Sequence, residues 1–369
     1  MVASVSRLFQ PITIGDMTLA HRIVMAPLTR FRATDEHVMQ PISREYYEQR
    51  ASAPGTLIVS EGTYPAPQAT GYKNSPGIWT EIQIAAWRKI VDAIHARGSF
   101  IYLQLFDMGA SADLAVLEAD GGHPYVGAGD LPHDGRSERP RPMTIEEIHE
   151  HTEYFATAAR NAVYGAGCDG IEIHSANGYL LDQFLQTNTN NRSDAYGGSI
   201  ENRVRFPLAV VDAVVRAVGA KRTAVRISPW SRYQGMRMPD PGPTFAQFVR
   251  CLRHAHPDLA YLHIVTPRVD EDGESTREPD EGERDDFIRA EWGERPIISS
   301  GGFGRESGME AADKTGDLIA YGRAFIANPD LVRRLKEDAP LNKGDRSKYY
   351  SSGPDGYIDY PFLPSPSHP

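Results

Sequence analysis

The sequence predicts an α/β protein, one (β/α)8 TIM barrel spanning residues 1–369 as a single domain. Three observations predict it. Eight short apolar runs recur along the chain, helical patterns lie between them, and several runs end in hydrogen-bonding side chains. Alternating strand and helix gives a parallel sheet, whose strands are buried on both faces and so read as continuous apolar runs. That pattern also admits an open, doubly wound sheet; eight rounds favour closure.

The chain begins with FQPITIGDMTLAHR (9–22), which reads as a hairpin capping the barrel's opposite end. The strands follow as RIVMAP (22–27), TLIVSEG (56–62), FIYLQLF (100–106) and DGIEIH (169–174). TAVRIS (223–228), AYLHIV (260–265), PIISSGG (296–302) and LIAYGR (318–323) complete the set. Helices are predicted over 81–98 and over 203–219, the latter stopped by Gly219. Two connections are too long for simple turns: 107–142 after the third strand and 266–287 after the sixth. In a barrel both lie at the C-terminal rim, where active sites are built; each reads as a lid or as a surface insertion.

At 369 residues and 40% hydrophobic content, the chain has ample material for a core. A formal charge of −10 argues against nucleic acid and anionic membrane as partners. The excess is local: Asp270 to Asp286 holds ten acids against two arginines, a net of −8. Within it DEDGE (270–274) lacks the glycine and glutamate placement of a calcium loop, so a solvated acidic loop is expected. No apolar stretch reaches the roughly 18 residues needed to span a bilayer. Neither a secretory leader nor more than two cysteines, Cys168 and Cys251, is seen. A soluble, reduced, cytoplasmic protein is expected, monomeric or homodimeric.

Thr29, Gln104, His174 and Arg226 stand at strand ends, where a buried strand would finish in apolar or turn residues. Each alone has an ordinary explanation, as a cap, a backbone partner or half of an ion pair. Together at one rim they point to a shared ligand. The densest segment is EIHSANGYLLDQFLQTNTNNRSDAYGGSIENR (172–203). Its His174, Asn177 and Tyr179 have neither the spacing of a zinc site nor the elbow of a serine nucleophile, so no catalytic metal is expected. A neutral imidazole and an amide can donate to one carbonyl oxygen, and a phenol, protonated at neutral pH, can act as general acid. Ser300 to Gly304 (SGGFG) and Tyr321 to Arg323 (YGR) end the seventh and eighth strands, where barrels commonly hold phosphate.

HSANGYLL followed by NRSDAYGGSIENR resembles the signature of the old yellow enzyme family, in its fungal and plant-type branch. The similarity runs through LFQPITIG, HRIVMAPLTRFRA, PGIW, YGRAFIANPDLVRRL and DRSKYYSSGPDGYIDYP, nearly the whole chain. It implies bound FMN, held by Pro27, Leu28, Thr29, Gly62, Gln104, Arg226, Gly301, Gly302, Gly322 and Arg323. His174, Asn177 and Tyr179 are the implied catalytic residues; Phe106 and Tyr350 match positions at the substrate pocket. FMN is implied over FAD, no dinucleotide-binding glycine motif being present.

The expected reaction is reduction of the activated C=C bond of an enal or enone, with NADPH or NADH as hydride donor. The same residues also suit an isomerase, desaturase or cyclisation catalyst, and the fold alone admits a non-catalytic ligand-binding barrel. The chain departs from the family at Phe106, where many relatives have tryptophan, at Ala110, and in both long rim loops.

Overall fold

A computed structural model describes residues 5–268 and 277–364. Its centre is a closed barrel of eight parallel strands, labelled here β1 (Ile23–Met25), β2 (Leu57–Val59), β3 (Phe100–Leu105), β4 (Gly170–Ser175), β5 (Thr223–Ile227), β6 (Leu262–Val265), β7 (Ile297–Ser300) and β8 (Leu318–Tyr321). Each strand pairs with its sequence neighbours, and Ile319↔Ile23 and Ala320↔Val24 close β8 onto β1. All eight predicted strands are present. β1, β2 and β7 stop short of their predicted ends because Pro27, Ser60 to Gly62, and Gly301 with Gly302 leave the ladder and become rim.

The intervening helices start and stop where the side chains dictate. Thr80 and Gln83 form a reciprocal capping box at the head of Glu81–Ala96, and Thr144 and Glu147 do so for Ile145–Arg160. The predicted 203–219 helix begins at Arg205 after a separate turn, Ile200–Arg203, and ends at Gly219, whose φ is 94°. The N-terminal hairpin pairs Ile12–Ile14 with Met17–Leu19, and its Ile14, Met17 and Leu19 pack on Leu57, Tyr102, Tyr261 and Ile298 at the strand starts. That plugs the bottom of the barrel and leaves the strand ends open.

Neither long loop is featureless. The 107–142 segment contains the helix Leu114–Ala119 and a short pairing of Val126–Gly127 with Arg141–Pro142. The DEDGE run falls among residues 269–276, outside those described. The rest of the acidic tract is not simply solvated, since Glu283 is buried against Arg232, Arg237 and Arg277. Among the described residues no helix is long and apolar enough to cross a membrane.

Candidate active site

The end of β4 sets the geometry. His174 is a strand residue paired with Arg226 on β5, and the chain then turns through two left-handed residues, Asn177 (φ 58°) and Gly178 (φ 79°). Asparagine tolerates that conformation better than most residues, and glycine adopts it freely. Every backbone polar group of the turn is met by a side chain. Asn177 N–H donates to Ser228 Oγ (2.8 Å), and Asn177 C=O accepts from Gln234 Nε2 (2.9 Å). Gly178 N–H donates to Asp182 Oδ2 (2.9 Å), and Gly178 C=O accepts from Ser111 Oγ and Gln183 Nε2, each at 2.8 Å. Tyr179 follows as the first residue before the helix Leu180–Leu185, its ring 5.0 Å from that of His174.

Inside the barrel lies a buried polar cluster. Glu172 accepts from Gln104 Nε2 (2.7 Å) and Tyr261 hydroxyl (3.1 Å), and lies 2.8 Å from His263 Nδ1. Burial would raise the Glu172 carboxyl, but His263, Arg226 and Gln104 outweigh it and hold the pKa below the ordinary value, so the group is ionised. Burial, with Arg226 and His263 nearby, drives His174 well below the usual histidine range; its ring is neutral and its Nδ1 has no protein partner. Burial also lowers Arg226, opposed by Glu172, but a guanidinium starts so high that it stays charged. Its Nε is buried without a partner. Tyr179 is pushed well above its ordinary pKa, by burial first and then by Tyr72 and Tyr233, so the phenol keeps its proton.

Of these groups Arg226 and Tyr179 border a cavity of about 680 Å³ at the open end of the barrel. Of the residues expected from sequence, Pro27, Leu28, Thr29, Asn177, Tyr179, Arg226, Gly301, Gly302, Gly322, Arg323 and Tyr350 line it. Gln104 and His174 lie just behind the wall, buried to within a few per cent. Phe106 is fully buried behind it too, stacked on Tyr64 (4.7 Å) and edge-on to Tyr179 (5.1 Å). Gly62 is the seat of that ring, because a Cβ there would meet Phe106 at 2.9 Å. Phe106 therefore backs His174 and Tyr179. Sequence reasoning missed Phe31, Tyr72 and Tyr233, which add an aromatic wall to the cavity. Aromatic residues in loops carry no periodicity that would flag them.

Residues 7–342 match the NADH:flavin oxidoreductase / NADH oxidase family. The chain belongs to that family. Chanoclavine-I aldehyde reductase of Penicillium roqueforti is 45% identical, covering 97% of this chain and 96% of the relative. A protein of Claviceps purpurea named as a probable inactive dehydrogenase is 42% identical, covering 97% and 96%. Among solved structures, old yellow enzyme from Pichia superposes with a TM-score of 0.89 at 36% identity, covering 99% of this chain and 95% of its own. This chain is thus an old yellow enzyme family member, an FMN-dependent oxidoreductase that takes hydride from a nicotinamide.

Proposed function

We propose that the protein reduces the C=C bond of α,β-unsaturated aldehydes or ketones. The observation carrying this reading is an amide and a protonated phenol at the cavity wall, with the neutral His174 ring, its Nδ1 without a partner, 5.0 Å behind that phenol. The rest of the lining suits FMN. Arg226 offers an unpartnered buried Nε, Gly301 and Gly322 line the wall without side chains, and Arg323 adds a cation there. Gln104, Thr29 and Arg226 would hold the ring edge, Pro27 and Leu28 one flank, and Gly301, Gly302, Gly322 and Arg323 the phosphate. The Arg226 charge favours negative charge on that ring.

FMN bound there supplies hydride chemistry at N5, between NADPH or NADH and the substrate β-carbon. The protein does the rest. His174 and Asn177 donate to the substrate oxygen and stabilise the charge that grows there as the β-carbon is reduced. Tyr179 holds a proton that its raised pKa keeps in place until the α-carbon becomes basic enough to take it. Enclosure by Phe31, Tyr72, Tyr233 and Tyr350 limits water access to the reacting carbons.

The test is anaerobic reduction of the purified yellow protein by NADPH or NADH, then reoxidation by enals, enones and maleimides. Rapid reoxidation with a saturated product is expected. A reduced enzyme that no activated alkene reoxidises would sink the reading.

A further inference from the structure

The cavity-lining Asn177 depends on residues that never reach the cavity. Gln234 lies on the loop after β5 and is held in the left-handed region (φ 57°, ψ 37°), an uncommon conformation for a side chain of its size. It is pressed against the β4 turn so closely that a Cβ at Gly178 would come within 2.7 Å of the Gln234 Cβ. Its Nε2 donates to Asn177 C=O (2.9 Å), and its Oε1 faces His133 Nε2 at 3.3 Å. His133 comes from the long loop after β3 and is itself buried.

The donor pattern fixes the imidazole's tautomer. Ser111 Oγ spends its proton on Gly178 C=O (2.8 Å), so it accepts from His133 Nε2 (2.9 Å). His133 therefore carries its proton on Nε2, shared between Ser111 and Gln234, and its buried Nδ1 is the bare lone pair, without a partner. A second proton on Nδ1 would have no acceptor, and burial lowers the ring's pKa accordingly.

We infer that Gln234, braced by His133 and Ser111, is a positioning residue that locks the left-handed Asn177–Gly178 turn and so aims the Asn177 amide at the substrate carbonyl. The inference rests on the proposed ene-reduction. It gives two rim segments, the 107–142 loop and the loop after β5, one shared role, since they meet over the same turn and clamp it from two directions.

The experiment is a double-mutant cycle on flavin-loaded enzyme, with trans-2-hexenal as oxidant. Gln234→Met keeps size and loses both hydrogen bonds; Asn177→Ala removes the amide. Gln234→Met is expected to slow reoxidation by hexenal about ten- to a hundredfold. Reduction by NADPH and reoxidation by ferricyanide, which needs no carbonyl donor, should stay within about twofold of wild type. Because Gln234 acts through Asn177, the double variant should be no slower than Asn177→Ala alone. A wild-type rate for Gln234→Met, or losses that multiply in the double variant, overturns the inference. If Gln234→Met fails to retain flavin, the same cycle is run with Ser111→Ala, which removes one of the two donors to Gly178 C=O and the Ser111 partner of His133, and is read the same way. Failure of wild type itself to be reoxidised by hexenal is a different result: it removes the proposed function.

Discussion

Tyr179 is almost fully buried, in edge contact with both Phe106 and His174, and its proton is held tightly because burial, with Tyr72 and Tyr233 nearby, disfavours the phenolate. A residue built this way releases its proton only to a strong base formed in the reaction. Tyr179→Phe should therefore lower reoxidation by an enal about 10²- to 10⁴-fold, while flavin reduction by NADPH stays near wild type. Stopped-flow measurement of the two half-reactions checks this; equal losses in both would point to damaged flavin binding instead. The oxygen donors differ in kind. Replacing His174 or Asn177 by alanine removes one hydrogen bond to developing charge, a loss of about 3–4 kcal/mol, or roughly 10²- to 10³-fold in kcat. Because the His174 ring is already neutral across the ordinary pH range, kcat should show no rise or fall with a midpoint near 6.5 from this residue. A pH profile that carries such a step and loses it in His174→Asn would contradict the assignment.

At the scale of elements, the segment from Asp345 to Tyr360 crosses the barrel mouth and brings Tyr349 and Tyr350 to the cavity wall. Three buried arginines hold it by backbone carbonyls. Arg30 donates to Tyr349 C=O (2.9 Å) and Gly356 C=O (2.8 Å), and Arg32 to the carbonyls of Lys348 and Asp355, each at 3.2 Å. Arg50 reaches Tyr357 C=O (3.2 Å) as well as Ile326 C=O (2.6 Å). The Tyr357 ring stacks on Tyr46 at 4.1 Å beneath the guanidinium groups of Arg30 and Arg32. Arg32→Ala strands several carbonyls and should cost about 2–4 kcal/mol. Limited proteolysis should find new cleavage within 345–360, and the KM for enals should rise more than kcat falls.

Such straps explain what could be read in advance. All eight strands were legible because a strand buried on both faces leaves a continuous apolar run, and His174, Asn177 and Tyr179 were legible because they share one short segment. Arg32, His133, Gln234 and Glu283 were not. A polar residue in a loop looks solvated until barrel closure brings another loop onto it, and Glu283, within a tract read as a solvated acidic loop, is the plainest case.

Across the whole molecule, buried titratable groups set opposing trends in stability with pH. Burial raises Glu61, Asp182 and Asp285 to about 7. A raised carboxyl stabilises the fold below its unfolded pKa near 4, and that contribution is lost as pH climbs through 7. Buried histidines act the other way. His21 is lowered to about 4, and His133, His174 and His263 are also lowered, so over much of the same window the unfolded chain takes up protons that the folded one refuses. Stability from those groups rises with pH, which opposes the carboxyl trend. One substitution unmasks the balance. Asp182→Asn keeps an oxygen for Gly178 N–H but no longer takes the proton that the folded state holds. Near pH 4.5 it should be less stable than wild type, because its Nδ2 faces Gln186 Nε2, whose bond to Asp182 Oδ1 (3.1 Å) is lost. The difference should then move in the variant's favour toward pH 7, with a slope approaching about 1.4 kcal/mol per pH unit for one proton. Denaturant titrations at several pH values, with FMN in fixed excess so that ligand linkage is constant, give the two curves. Parallel curves would show that Asp182 is ionised throughout and that the turn behind Asn177 is held by a charge.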